Sequence, residues 1–323
     1  MTSMDQQCIN TLRVLSADMV QQANSGHPGA PMGMAPMAYA LWGYAMRHHP
    51  ANPGWVDRDR FVLSAGHASA LEYALLHLFG YGLTIEDLKQ FRQLDSLTPG
   101  HPEHGHTVGV ETTTGPLGQG VANAVGFAIA EARLAAEFNR PGFPVVDHRT
   151  YAVCGDGCMM EGIASEAASL AGTLQLGKLT LLYDDNEISI EGNTDIAFRE
   201  RVGDRFAAYD WHVQTVEDGN DMDALVHALD TAKTDPRPSL IIVKTQIGFG
   251  CAAKQGKASA HGEPLGVENL AQTKQALGMP PEMFTVAQDV YAHFQKLAAC
   301  GAACDAEWNE LFAAYCVTYP ELA

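Results

Sequence analysis

Apolar positions along the chain follow two spacings, which predict helices interleaved with short strands. Helical spacing predicts a first helix over residues 5–23, and a stretch rich in Gly and Pro at 26–33 predicts a loop before a second helix at about 34–46. Runs rich in Val, Ile and Leu predict strands at 60–64, 150–154, 179–183, 212–216 and 239–245. Further helices are predicted at 68–79, 119–138, 161–174, 201–209 and 222–231. This alternation predicts an α/β fold, a parallel sheet with helices on both faces.

The chain shows no internal repeat and no low-complexity linker, so its 323 residues are predicted to form a single domain. A helical extension is predicted at the carboxyl end, over about 267–323. The stretch 98–120 is rich in Gly, Pro, Thr and His and is predicted to be a long loop. A loop of this length inside a compact domain is more often functional than idle, so it is a candidate part of a site.

The net charge of the chain limits the classes of molecule that it is expected to bind. The chain has 20 Lys and Arg against 38 Asp and Glu, which gives a formal net charge of −18. Nucleic acid is excluded as a partner, because its phosphates require a basic surface. A phosphorylated substrate would find few cations on this chain, so a pocket for one is expected to be completed from elsewhere.

Cysteines and the amino-terminal segment indicate the compartment. The seven cysteines form no Cys-x-x-Cys pair, which favours reduced thiols. Residues 1–10 are polar and lack the apolar core of a signal peptide, and no run approaches the roughly 20 apolar residues of a membrane span. A cytoplasmic protein without membrane contact is predicted.

An acidic residue between two glycines ends the predicted strand at 150–154. Asp156 follows Gly155 and precedes Gly157, and the next predicted strand ends in Asp-Asp followed by Asn186. Carboxyl ends of neighbouring parallel strands gather ligands, and a carboxylate there tolerates a diphosphate only through a hard divalent cation. The glycine lets the backbone approach the phosphates. An ordinary strand–helix turn with an Asp cap is the simpler alternative, and the second ligand segment makes it less favoured.

Two nucleotide motifs compete with this interpretation. A dinucleotide-binding turn would need Gly or Ala where Met160 stands, and no basic residue of the motif neutralises Asp156. The phosphate-binding loop of nucleotide hydrolases requires Gly-x-x-x-x-Gly-Lys-Ser/Thr, which the chain lacks. A metal-diphosphate site is therefore preferred.

Four histidines stand in glycine-rich surroundings: His27, His67, His101 and His261. Imidazole can donate to phosphate or sugar oxygens and can exchange protons near neutral pH. Any one of them alone would be read as a surface residue, but four together favour a histidine-lined site. The stretch 101–106 also allows a transition-metal cluster, which is less favoured because its spacing is irregular and no thiolate accompanies it.

Two carboxylates, Glu161 and Glu166, fall in the first turns of the helix predicted at 161–174. Carboxylates are stabilised there by the helix dipole, which needs no function. A buried relay is the other interpretation, and composition leaves the two open.

Seven motifs together resemble the transketolase family. They are Ser-Gly-His-Pro-Gly-Ala-Pro-Met-Gly-Met at 25–34, Asp-Arg-Asp-Arg-Phe-Val-Leu-Ser at 57–64, Thr-Thr-Thr-Gly-Pro-Leu-Gly-Gln-Gly at 112–120, Gly-Asp-Gly-Cys-Met-Met-Glu-Gly at 155–162, Tyr-Asp-Asp-Asn at 183–186, Ile-Gly-Phe-Gly at 247–250 and His-Gly-Glu-Pro-Leu at 261–265. The resemblance runs almost end to end but covers only the amino-terminal half of that family. It implies a thiamine-diphosphate-binding fold, with residues 1–323 as a single pyrophosphate-binding domain.

The same resemblance implies a cofactor, thiamine diphosphate with magnesium. Asp156, Asn186 and the backbone carbonyl of Ile188 would hold the metal. Asn186 would thereby also belong to the cofactor site. The other implied cofactor contacts are His67, Gly157 and His261 at the diphosphate and Gly115 and Leu117 at the thiamine.

The implied catalytic residues are His27, His101, His261, Glu161 and Glu166. Of these, His27 and His101 would face sugar hydroxyls, and the two glutamates resemble carboxylates that the family places near its dimer interface, so a homo-oligomer is expected. The implied reaction transfers a two-carbon ketol unit from a ketose phosphate to an aldose phosphate.

The sequence departs from the family pattern at two places, and these limit what the resemblance implies about activity. Residues 198–201, Phe-Arg-Glu-Arg, are more basic than the usual segment. The chain ends at Ala323, whereas the family's next domain supplies the group that activates the aminopyrimidine and the arginines that hold sugar phosphate. A complementary pyrimidine-binding carboxyl-terminal half is therefore the expected partner. A non-catalytic binding or regulatory module, or a related ketol transferase such as dihydroxyacetone synthase, is the alternative.

Overall fold

A five-stranded parallel sheet forms the centre of the computed structural model, which describes residues 2–323. Its strands are β1 (Arg60–Leu63), β2 (Thr150–Gly155), β3 (Leu179–Asp185), β6 (His212–Val216) and β7 (Ser239–Lys244). They lie in the order β1-β2-β3-β7-β6, and every neighbouring pair is parallel. A separate antiparallel hairpin pairs β4 (Ile188–Ser189) with β5 (Gly192–Asn193). The parallel sheet predicted from the apolar runs is confirmed.

Eleven α-helices surround the sheet. They are α1 (Ser3–Ala23), α2 (Gly29–Ala40), α3 (Ser69–Phe79), α4 (Ile85–Lys89), α5 (Gln119–Phe138), α6 (Asp156–Met160), α7 (Gly162–Thr173), α8 (Val202–Ala208), α9 (Met222–Thr234), α10 (Val267–Ala276) and α11 (Gln288–Thr318), as described over residues 2–323. A capping box sets the amino-terminal end of α1. The Thr2 hydroxyl accepts from the Asp5 N–H, and the Asp5 carboxylate accepts from the Thr2 N–H.

Alternate residues of the strands face two different cores. On β2, Tyr151 and Val153 pack with α1, α2, α3 and α9, whereas Ala152 and Cys154 pack with α5, α7 and α8. This alternation follows from the pleat, which points successive side chains to opposite faces. Burial on both faces explains why the strands read as continuous apolar runs.

The carboxyl-terminal helices pack back onto this body. In α11, Val290 and Phe294 are fully buried in the first core. Further along the helix, the Trp308 indole donates to the Val145 carbonyl at 2.9 Å. Both α10 and α11 lie within the predicted helical stretch 267–323. None of the helices described over residues 2–323 combines the length and the apolar character needed to cross a bilayer.

The second helix differs from its prediction. It begins at Gly29, inside the stretch 26–33 that was expected to be a loop, and a π-helical turn, Leu41–Ala45, follows it. Pro31 lies in the first turn, where a missing N–H removes no helical bond. A β-carbon at Gly29 would lie 2.3 Å from the Ala260 carbonyl oxygen. The glycine therefore marks a close approach of backbones rather than a loop.

Candidate active site

A cavity of about 420 Å³ opens at the carboxyl ends of β2, β3 and β7. Its walls are formed by the start of α2 with the segment before it, by loops after β1, β2 and β3, and by the segment after β7. The carboxyl edge is where an open parallel sheet gathers ligands. Of the twelve site residues predicted from the sequence, the eleven that line it are His27, His67, His101, Gly115, Leu117, Asp156, Gly157, Glu161, Asn186, Ile188 and His261. Glu166 is the exception.

Two buried carboxylates form an acidic corner of the cavity. Asp156 follows β2, and its Oδ1 accepts a hydrogen bond from the Tyr183 hydroxyl at 2.7 Å. Burial raises the pKa of Asp156 to about 6, and burial with the neighbouring Asp156 charge raises that of Asp184 to about 7. Within residues 2–323, no ion pair or hydrogen bond joins a Lys, Arg or His to either carboxylate. Buried acids without a counter-charge are the donor set that suits a hard divalent cation.

The amide of Asn186 is held in one orientation beside this corner. Its Nδ2 donates to Asp184 Oδ2 at 2.6 Å, and its Oδ1 accepts from the Ile188 N–H at 3.0 Å. The Thr245 hydroxyl donates to the other oxygen of Asp184. Because the amide nitrogen is engaged, the oxygen is the atom of Asn186 available to a metal.

Asp184 was missed by the sequence prediction, although it is wholly buried and orients a predicted ligand. The available signal was an acidic residue inside an apolar strand, where a carboxylate has no place without partners. Its partner Thr245 follows a strand about 60 positions later in the sequence, so the pairing could not be read from local spacing.

Gly157 brings backbone close to the cavity. A β-carbon there would lie 2.7 Å from Leu117 Cδ1, so any other residue would displace that side chain. Opposite, a β-carbon at Gly115 would lie 3.4 Å from the His101 ring. Small residues thus keep this part of the cavity open.

Three imidazoles form a triangle at the far wall. Ring centroids lie 5.1 Å apart for His27 and His67, 5.6 Å for His27 and His261, and 5.3 Å for His67 and His261. Burial, with repulsion among the rings, lowers the pKa of His27 to about 4 and that of His67 to about 3, and burial lowers the pKa of His261. These rings are neutral at neutral pH.

Part of the triangle is without hydrogen-bond partners. The Nδ1 atoms of His27 and His261 are buried and unbonded among the described residues. His101 lines the same cavity, and burial together with the Arg92 charge lowers its pKa. Buried polar atoms without partners are rare in folded proteins and suit a polar ligand.

The two predicted glutamates are both exposed on this chain, Glu161 at the edge of the cavity and Glu166 outside it. A buried relay is therefore not formed within the chain itself. A β-carbon at Gly118 would lie 2.6 Å from Glu161 Cβ, which places this glutamate against the loop before α5. The catalytic role of both residues stays a prediction.

The alternative metal cluster at 101–106 is not assembled. His104 Nδ1 donates to the Val110 carbonyl at 3.0 Å, and His106 Nε2 donates to the Ser96 carbonyl at 2.7 Å. Across residues 2–323, no group of three or more His, Cys, Asp or Glu side chains is arranged to hold a metal. These histidines brace the loop instead.

Together the fold and the cavity define a class: an α/β protein whose parallel sheet carries, at its carboxyl edge, a cavity lined by buried carboxylates and histidines. The family model described as "Transketolase, thiamine diphosphate binding domain" matches residues 4–323. The chain belongs to this family. Membership confirms the resemblance, the fold and the thiamine diphosphate cofactor predicted from the sequence.

Curated relatives and solved structures agree. The chain is 58% identical to the transketolase of Halalkalibacterium halodurans over 320 residues, covering 99% of this chain and 48% of that protein. It is 60% identical to the chromosomal transketolase of Cupriavidus necator over 317 residues, covering 98% and 47%. The Leishmania mexicana transketolase structure matches with a TM-score of 0.97 at 51% identity, covering 100% of this chain and 48% of that one. The chain spans about half the length of the relatives it matches.

Proposed function

We propose that this chain is the cofactor-binding half of a transketolase, with residues 1–323 as one pyrophosphate-binding domain. The acidic corner carries the proposal: two buried carboxylates, Asp156 and Asp184, lie beside an oriented amide, and no cation from the described part of the chain pairs with them. A divalent cation between Asp156 and a diphosphate would neutralise charge on both sides, and Mg²⁺ favours such oxygen donors.

Each part of the cofactor has residues suited to it. Asp156, Asn186 and the Ile188 carbonyl would hold Mg²⁺. The other residues assigned to the cofactor are His67, Gly157 and His261 for the diphosphate and Gly115 and Leu117 for the thiamine. When bound, thiamine diphosphate supplies the electron sink that carbon–carbon cleavage and formation require.

The histidines are assigned hydrogen bonds to the substrate and to the cofactor. His27 and His101 are assigned to sugar hydroxyls, because a neutral imidazole both donates and accepts hydrogen bonds. His261 approaches from the segment after β7 and can serve both diphosphate and substrate. Glu161 and Glu166, exposed here, are assigned to a contact with a second subunit in a homo-oligomer.

The charge of the cavity lining bears on both the substrate and the partner that we assign. Among the described residues, no Lys or Arg lines it. Transketolase structures from Pichia stipitis include complexes with sedoheptulose 7-phosphate and fructose 6-phosphate. We assign sugar phosphates to this site too, with the cations for their phosphate supplied by a complementary pyrimidine-binding half, in the cytoplasm.

Calorimetric titration tests the cofactor assignment. The chain is titrated with thiamine diphosphate in Mg²⁺, with and without a candidate complementary half, and Asp156→Asn is compared with Asp235→Asn. Asp235 pairs with Arg237 away from the cavity, so its variant controls for the loss of one negative charge. Binding that depends on Mg²⁺ and on Asp156 supports the assignment, and binding indifferent to both rejects it.

Ketol transfer tests the half-enzyme assignment. The chain alone is expected to show negligible transfer between sugar phosphates, and addition of the complementary half is expected to restore it. Sustained turnover by the purified chain without any partner would contradict this assignment while leaving cofactor binding intact.

A further inference from the structure

Arg13 is a buried cation that, within residues 2–323, has no acidic partner. Its side chain is 1% exposed, and among the described residues it forms no ion pair. Its Nε donates to the Met32 carbonyl at 2.9 Å, and its Nη atoms donate to Asn10 Oδ1 at 3.1 Å and Asn220 Oδ1 at 2.6 Å. A buried guanidinium is costly unless its surroundings use it, so this arrangement requires an explanation.

One of these bonds replaces a hydrogen bond that is missing within α2. In an α-helix the carbonyl of residue 32 accepts from the N–H of residue 36, four positions later. Position 36 is a proline, which has no N–H, so the Met32 carbonyl lacks its helical donor. The Arg13 Nε–H takes that place, and α1 is thereby joined to α2 at a fixed position.

The face of the same guanidinium lies on Phe249. The Arg13 Cζ is 4.0 Å from the centroid of that ring, within the range of a cation–π interaction. Phe249 belongs to the His261 loop, which we define as residues 246–261, between β7 and the site histidine. Arg13 therefore joins α1, α2 and this loop through one side chain.

The His261 loop also meets α2 directly. The Gly248 N–H donates to the Gly29 carbonyl at 2.9 Å, and Gly29 leaves no room for a β-carbon against Ala260. His27 precedes this contact by two residues and His261 follows it by one. The separation of 5.6 Å between those two rings thus depends on how the loop sits on α2.

We propose that Arg13 is a positioning residue of the cofactor site, which anchors the His261 loop to α2 through Phe249 and so sets the imidazole triangle. The proposal rests on the proposed function for its ligand, thiamine diphosphate, but not for the anchor itself.

Limited proteolysis of the full chain without cofactor tests the anchor. Trypsin can cleave within the loop after Lys254 and Lys257, and mass spectrometry identifies those cuts. Arg13→Met is expected to raise the rate of cleavage there by about tenfold, the effect of losing one desolvated cation–π contact. Arg133→Met, at an exposed arginine of α5, is the matched control and is expected to leave the rate unchanged.

Loss of stability is separated from loss of the anchor by a second substitution. In Arg13→Met with Pro36→Ala, the new alanine N–H can bond the Met32 carbonyl, so part of the lost thermal stability returns. Cleavage in the loop is expected to stay fast, because Phe249 still lacks its cation. If the double variant regains parental resistance in the loop, Arg13 is only a helix brace and the proposal is overturned.

Cofactor titration supplies the third measurement. In the presence of Mg²⁺, Phe249→Leu is expected to weaken thiamine diphosphate binding by about tenfold, and Arg13→Met to add little to it, because both remove one contact. Arg13→Lys, which retains a charge, is expected to recover part of the loss. A Phe249→Leu chain that matches its parent in both affinity and loop cleavage would overturn the proposal. A parent chain that fails to bind thiamine diphosphate would reject the proposed function instead.

Discussion

Buried carboxylates occur at both edges of the central sheet, but in the part of the chain that the structure describes, cations pair with them at one edge only. At the amino edge, Asp59 accepts from the Arg47 and Arg149 N–H groups and pairs with the Arg47 guanidinium at 3.5 Å. At the carboxyl edge, Asp156 and Asp184 have hydroxyl and amide donors and, in the described chain, no cation. Satisfied acids hold a fold together, whereas acids left without a counter-charge indicate a ligand that brings one.

The largest effect is expected at the amino edge. Asp59→Ala removes the acceptor of two buried N–H groups and the partner of Arg47, and is expected to destabilise the chain by about 3 kcal/mol. Denaturant unfolding measures this loss. Thiamine diphosphate affinity, measured where the variant remains folded, is expected to stay near that of the parent, and a selective loss of affinity would erase the distinction between the edges.

Asp156→Asn is the matching change at the carboxyl edge. Cofactor binding in Mg²⁺ is expected to weaken by at least about 100-fold, since a neutral amide cannot bridge a dication to the diphosphate. Stability without cofactor is expected to hold or rise, because a buried charge is removed. Unfolding and calorimetry on the same sample give both values, and destabilisation as large as that expected for Asp59→Ala would contradict the contrast between the two edges.

Asp184→Asn probes the orientation of the metal ligand. The substitution keeps the size of the side chain but allows Asn186 to turn its amide, so cofactor affinity in Mg²⁺ is expected to fall by about 10–100-fold. Thr245→Val, which removes the hydroxyl donor to Asp184, is expected to have a smaller effect in the same direction. Calorimetry measures both, and equal affinity in all three chains would show that Asp184 is only structural.

Lowering the pH is expected to reduce the stability of the folded chain through the imidazole triangle. Since the folded pKa of His67 is about 3 and its unfolded value about 6.5, the unfolded chain binds more protons between these values. Stability contributed by the neutral ring is complete above pH 6.5 and is lost as pH falls toward 3, at up to about 1.4 kcal/mol per pH unit. Denaturant unfolding of His67→Gln from pH 4 to 7 is expected to show a shallower slope than the parent, and an identical slope would contradict the assigned pKa.

The sequence was most informative where pattern is local. Continuous periodicity gave the bounds of α5 and β6 as the structure has them. Asp156 and Asn186 were predicted to lie together because strand ends converge, and both line one cavity. The failures depend on partners distant in the sequence. α2 begins inside an expected loop because Gly29 packs on Ala260, and the sequence pattern did not single out Arg13, whose side chain bonds to Met32 and Asn220.

The smallest expected effect on cofactor affinity comes from filling space beside Gly157 rather than from changing a charge. A β-carbon at Gly157 would lie 2.7 Å from Leu117 Cδ1, and leucine can move partly aside. Gly157→Ala is therefore expected to weaken thiamine diphosphate binding by about tenfold or less, with little loss of stability. Leu117→Ala alone is expected to weaken binding, because Leu117 is assigned to the thiamine. Because it also returns space, the double variant is expected to bind more tightly than the two separate losses added together would allow. If the two losses simply add, the glycine matters through its backbone approach to the phosphates and not through the neighbouring leucine, and the comparison between edges then turns on charge alone.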